Sequence, residues 1–133
     1  MAKQVFTDKS LQSAFEKSIE MYEAYRAVVG KKIDCSEPRA IVEHLSEITS
    51  VMSLGITAKA QFQFLTEKLS FSKLITLNND DRSATEKKML IAYEIGDCSF
   101  YNNITELLIK ECHYKIEILR SALSYSKSEL NLI

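Results

Sequence analysis

The chain has 133 residues, 46% of them hydrophobic and 26% charged, with a formal net charge of −1. That is one domain's length with the ordinary balance of a globular protein, too apolar and too nearly neutral for intrinsic disorder. The charge offers no global attraction to phosphate backbones or anionic lipid, and three glycines with one proline cannot supply the turn that a strand-rich domain needs about every 8–12 residues. Long uninterrupted helices remain, so the expected class is all-α.

The first periodic segment opens after Thr7 or Asp8, either able to cap a helix N-terminus. Leu11, Phe15, Tyr22, Tyr25 and Val29 follow at three- and four-residue steps, widened by Ile19 and Met21, and predict a helix over about 8–29. Gly30 stands where a left-handed C-terminal cap belongs, with Lys31 and Lys32 suited to the negative end of the dipole.

Ser36-Glu37-Pro38 reads as the next start: a capping serine, then an acid, then a proline whose missing N–H costs nothing in the first turn. The stripe Ile41, Leu45, Ile48, Met52, Gly55, Ala58, Phe62, Leu65 and Leu69 predicts a helix over about 37–76, some ~60 Å long. Gly55 and Ala58 thin the stripe enough for a neighbouring helix to approach closely. Residues 70–77 lose the clean period and are expected to fray or loop before the polar turn Asn78-Asn79-Asp80-Asp81.

Ser83 and Glu86 have capping-box spacing, which opens a third helix over about 83–128 through Leu90, Tyr93 and Ile95. Gly96-Asp97-Cys98-Ser99 is a candidate break, because glycine weakens a helix interior and Asp and Ser compete for its backbone. Beyond it, Ile109, Cys112, Ile116, Leu119, Leu123, Ser126 and Leu130 alternate three- and four-residue steps, the spacing of a coiled-coil seam, with Ile104 and Leu108 on its flank. Glu106–Lys110 and Glu111–Lys115 stand four apart with the acid first, the favourable order for helical ion pairs. Asn131-Leu132-Ile133 is expected to fray. The expected architecture is a single domain over 1–133, an elongated bundle of three long amphipathic helices, or four if the chain breaks near Gly96-Asp97.

Little in the sequence points to chemistry. His44 sits at the edge of the second stripe and reads as a partly buried histidine with a backbone partner. His113 follows Cys112 and so points about 100° away from it. Cys35, Cys98 and Cys112 form no pair with metal-ligand spacing. Neither histidine has a glutamate three residues before it, as a di-iron bundle requires. Glu16, Glu20 and Glu23, like Glu43 and Glu47, read as a hydrated face. No phosphate loop or nucleophile elbow appears. The expectation is a non-enzyme with no metal and no cofactor. An odd set of unpaired cysteines, an N-terminus that turns polar too soon for a signal peptide, and no apolar run near ~20 residues predict a cytoplasmic protein with free thiols and no membrane contact. Asn103-Ile104-Thr105 matches a glycosylation acceptor that such a location leaves unused.

What remains is surface. Ile109, Cys112, Ile116, Leu119 and Leu123 are the candidate assembly seam of a homo-oligomeric adaptor or scaffold that binds itself or another protein. Lys110, Tyr114, Lys115, Arg120 and Lys127 interleave bases with aromatics, as Phe100-Tyr101 and Tyr125 do nearby, and are the candidate single-stranded nucleic-acid face of the alternative. Glu106, Glu111, Glu117 and Glu129 share that stretch. A first helix, a longer second one, a polar turn and a last helix carrying Ile116-Glu117-Ile118-Leu119-Arg120-Ser121 and a later lysine give a layout loosely similar to phage recombination mediators of the UvsY type. The likeness lies in length and helix order. It implies a phage or mobile-element accessory protein that assembles into rings and loads a recombinase on single-stranded DNA.

Overall fold

A computed structural model describes residues 5–132, with side chains through Glu129. Three helices pack as a bundle: α1 (Lys9–Val29), α2 (Pro38–Thr76) and α3 (Ala84–Leu132). No strand occurs among the described residues. At 1.5 Å per residue α3 is about 74 Å long, more than twice the length of α1. Short connections make α2 antiparallel to both of its neighbours. It therefore touches both along its length, while α1 and α3 meet each other least.

Local signals set the helix starts. The Asp8 carboxylate accepts from the backbone N–H of Ser10 at 2.8 Å and of Leu11 at 3.4 Å, and Ser83 Oγ accepts from Glu86 N at 3.2 Å. The start of α2 differs from expectation. Glu37 is the cap residue and makes no side-chain cap bond, while Ser36 donates through both its backbone N–H and its hydroxyl to Asp34 Oδ1. Asp34 closes a local turn, and that use of Ser36 removes it from the helix end; Pro38 at the first helical position does the rest. Ser36 donation also holds the Asp34 carboxyl below the usual range.

Two other expectations are corrected, and the alternative of a fourth helix is set aside. Gly30 is not left-handed: its φ of −80° and ψ of −3° are right-handed. The Gly30 N–H still donates to Arg26 O at 2.9 Å, and the carbonyls that follow are held by α3, whose Lys115 Nζ donates to Val29 O at 2.6 Å and to Lys31 O at 2.5 Å. Residues 70–76 neither fray nor loop, since Leu69 and Leu77 are buried on either side and hold them helical. Finally, α3 runs unbroken through Gly96. Gly96 faces open space, whereas Ile95 and Cys98 beside it pack into the core, and that burial outweighs the ~1 kcal/mol propensity cost of a glycine. The helix also continues to Leu132; Ile133 and the side chain of Leu130 lie outside the described residues.

One core cluster draws on all three helices. Its aromatic centre is Tyr101 of α3, stacked on Phe62 of α2 at 5.3 Å between centroids and edge-on to Phe15 of α1 at 5.8 Å. Phe15 in turn meets Phe62 edge-on at 6.0 Å. Small residues bring the backbones together elsewhere. Ser18 and Thr105 are fully buried because each hydroxyl donates to the carbonyl one turn back, Ala14 O at 2.8 Å and Tyr101 O at 2.6 Å.

Gly55 does what its place in the stripe suggests. A Cβ there would stand 2.7–2.8 Å from three atoms of the Tyr25 ring. Tyr25 is 2% exposed, and its phenol is in hydrogen-bonding reach of the Cys112 thiol, so α3 keeps the ring from swinging aside. Gly55→Ala should therefore destabilise by a net ~1–2 kcal/mol in urea unfolding, overpacking exceeding the helix-propensity gain. Gly96→Ala should show the opposite sign, a gain of about 1 kcal/mol, because nothing lies within 4 Å of its added carbon. Equal effects at the two glycines would contradict this packing.

Candidate interaction surface

Side-chain placement on α3 separates two stripes. The expected seam faces inward. Cys112 and Leu119 are each 1% exposed, and Ile109, Ile116 and Leu123 are half-buried against the same core. Within a single chain this face is already occupied by α1 and α2.

The five residues of the nucleic-acid face do not share a side. A helix turns about 100° per residue, so Lys115 and Arg120 project about 140° apart. Lys115 is drawn inward to its two carbonyls at the end of α1. Burial lowers its pKa, while the Cys35 and Cys112 thiols oppose that shift. Lys110 and Tyr114 flank the outer side of the helix, and Arg120 and Lys127 lie round toward the opposite side. Tyr101 is held in the core by its ring contacts, whereas Phe100 and Tyr125 face solvent.

The expected ion pairs of α3 do not form. Neither Glu106–Lys110 nor Glu111–Lys115 closes among the described residues. The bridges present are Glu23–Arg26 at 3.6 Å, Lys31–Glu47 at 3.1 Å, Arg39–Glu43 at 3.3 Å and Asp80–Arg82 at 3.7 Å. Lys115 has better acceptors, and exposed pairs gain too little to hold two long side chains in place.

Lys31, His44, Glu47 and Lys115 gather near the end of α1, where Lys31 pairs with Glu47 and Lys115 meets the Val29 and Lys31 carbonyls. Among the described residues no three of His, Cys, Asp and Glu converge as a metal set. Cys35 is exposed, while Cys98 and Cys112 are buried, all three as free thiols. Burial, then the nearby Asp97 charge, pushes the Cys98 thiol up to about 12, which makes it a poor nucleophile.

His44 departs from expectation. It is fully buried on α2, and neither ring nitrogen has a hydrogen-bond partner. Burial lowers its pKa, with Lys115 and Lys31 acting in the same direction and Glu47 against them. On acidification the unfolded chain takes up a proton near the ordinary value of about 6.5, while the folded chain resists it. The unfolded state then binds more protons, so this contribution to stability is present above pH ~6.5 and is lost as the pH falls through the lower folded value. His44→Leu should stabilise the protein at neutral pH by about 1–2 kcal/mol, by removing unpaired buried nitrogens. It should also flatten the decline of the urea midpoint between pH 7 and pH 5. An unchanged pH slope in the variant would assign the decline to other groups.

The sequence reading missed the outer stripe. Met89, Tyr93, Phe100, Leu107, Tyr114, Ile118 and Tyr125 are large apolar residues 58–82% exposed along one side of α3. Leu107, Tyr114 and Ile118 border a shallow apolar groove whose far wall is Val29 at the end of α1. A sequence signal was present: positions 93, 100, 107 and 114 are spaced by seven. A smaller exposed apolar patch, with Ile56, Ala60 and Phe64, lies on α2. No helix among the described residues is long and apolar enough to cross a membrane, so none of this apolar surface belongs to such a span. No protein-family model, curated protein or solved structure matches the chain.

Proposed function

We propose that this chain is a non-catalytic helical interaction protein, a self-associating adaptor or scaffold. One observation carries the reading: the outer stripe of α3 runs from Met89 to Tyr125, about 54 Å, with its large apolar residues in solvent. Monomeric proteins rarely expose contiguous apolar patches beyond a few hundred Å², and larger ones mark interaction sites. The inner seam Ile109, Cys112, Ile116, Leu119 and Leu123 serves this function indirectly, by anchoring α3 so that its other side is presented rigidly. Free, partly buried thiols suit a reducing compartment such as the cytoplasm.

Light scattering across a concentration series tests the proposal together with a mobility-shift assay on single-stranded DNA at two salt concentrations. Self-association with no DNA shift supports it. A monomer that retards DNA, less so at high salt, would replace it with the accessory role that the recombination-mediator layout implies, using the exposed aromatics for stacking.

A further inference from the structure

We infer that the occupant of the outer α3 stripe is the same stripe of a second copy, running antiparallel, with Leu107 on the two-fold axis. This rests on the self-association proposed above and specifies its surface, partner and orientation. The stripe is symmetric about Leu107. Counting outward in either direction, its residues fall at steps of four, three, four, three and four: Asn103 and Glu111, then Phe100 and Tyr114, Gly96 and Ile118, Tyr93 and Ser121, Met89 and Tyr125. All of them, with Leu107, are exposed. At about 100° per residue they stay within a band some 80° wide on one side of a straight helix.

Antiparallel pairing superposes these layers, and each layer is chemically matched. Phe100 meets Tyr114 of the second copy, an aromatic pair. Gly96 receives Ile118 and Ser121 receives Tyr93, small opposite large, which is how facing helix surfaces interdigitate. Met89 meets Tyr125, a sulfur–aromatic contact. The polar layer sets the Asn103 amide, a donor, against the Glu111 carboxylate. Parallel pairing would stack each residue on its equivalent, placing Glu111 on Glu111, Tyr93 on Tyr93 and an empty layer at Gly96. Charge beside the axis agrees. Glu106 and Lys110 flank the same edge, and neither forms an ion pair among the described residues; antiparallel pairing brings each near the other's counterpart, twice by symmetry.

Area agrees too. Large aromatic side chains bury about 150–250 Å² each, so the exposed parts of the seven apolar residues amount to roughly 900 Å² per chain. A stable interface needs on the order of 800 Å² per partner.

Site-directed crosslinking separates the orientations. In a Cys35→Ser background, which removes the exposed native thiol, Leu107→Cys should form a covalent dimer on mild oxidation. Tyr93→Cys and Ser121→Cys should each remain uncrosslinked alone, since self-pairs at those positions lie about 40 Å apart in the antiparallel dimer, but should crosslink when mixed. Leu107→Lys, at an exposed position that leaves the helical circular dichroism unchanged, should raise the dimer dissociation constant at least about thirtyfold, as removal of a central anchor does. Self-crosslinking of Tyr93→Cys as efficient as that of Leu107→Cys would overturn the antiparallel pairing. A dimer that persists in Leu107→Lys but is lost in Phe64→Lys would place association on α2, overturning the inference while leaving self-association intact. A wild type that is monomeric throughout the concentration series would overturn both.

Discussion

Phe62→Ala is expected to remove about 3–5 kcal/mol of folding stability, the range for truncating a fully buried aromatic residue. The reason lies in where the ring sits. Phe62 is on α2, 0% exposed, and meets Phe15 of α1 and Tyr101 of α3 directly. Its removal opens a cavity bounded by all three helices, and no single side chain can close it. Aromatic pairs contribute about 0.5–1.5 kcal/mol beyond their buried area, and two are lost at once. Against a total stability of about 5–15 kcal/mol for a typical domain, the variant would be partly unfolded under mild denaturant. Urea unfolding followed by circular dichroism measures the loss. Phe64→Ala is the control: two residues on, its ring is 53% exposed with Lys68 Nζ 5.8 Å from its centroid, and it should change stability by no more than about 0.5 kcal/mol. Similar losses at the two positions would mean that the Phe62 face is not the core.

Leu119→Ala is expected to cost about 2–5 kcal/mol and to leave the mass in solution unchanged. Leu119 belongs to the α3 seam that, from spacing alone, is the candidate assembly surface. At 1% exposure within one chain it has no further area to give a partner. The lost transfer energy and the residual cavity therefore fall on folding of the single chain. Leu107, twelve residues earlier and 60% exposed, should behave in the reverse way, with association affected and folding little changed. Light scattering and urea unfolding on both variants give the comparison. A Leu119→Ala protein that changes mass while keeping its unfolding midpoint would return assembly to the inner seam.

Most helix boundaries were legible because they depend on a few adjacent residues. Asp8, Pro38 and Ser83 act on the first turn of their own helices, and three- and four-residue steps of apolar side chains extend each helix from there. Close approach at Gly55 and Ala58 was legible for the same reason, as a gap in a regular stripe. The cap at the end of α1 was not. Lys115 reaches it from 84–86 residues away, and no local pattern reveals that the carbonyls of Val29 and Lys31 have a donor there. His44 was misjudged because its burial depends on the neighbours packed over it rather than on its place in α2.

The amino-acid sequence by itself determined the class of this protein, its three helices and the apolar stripes by which α1 and α2 enter the core. Only the tertiary structure decided which of the two stripes on α3 is that entry. Periodicity measures the angle between side chains on one helix and says nothing about where a neighbouring helix lies. The choice falls to the side where Cys98, Thr105 and Cys112 are small enough for α1 and α2 to approach, with Tyr101 filling the space between Phe15 and Phe62. The bulkier stripe through Tyr93, Phe100, Leu107 and Tyr114 is thereby left outside, exposed to solvent.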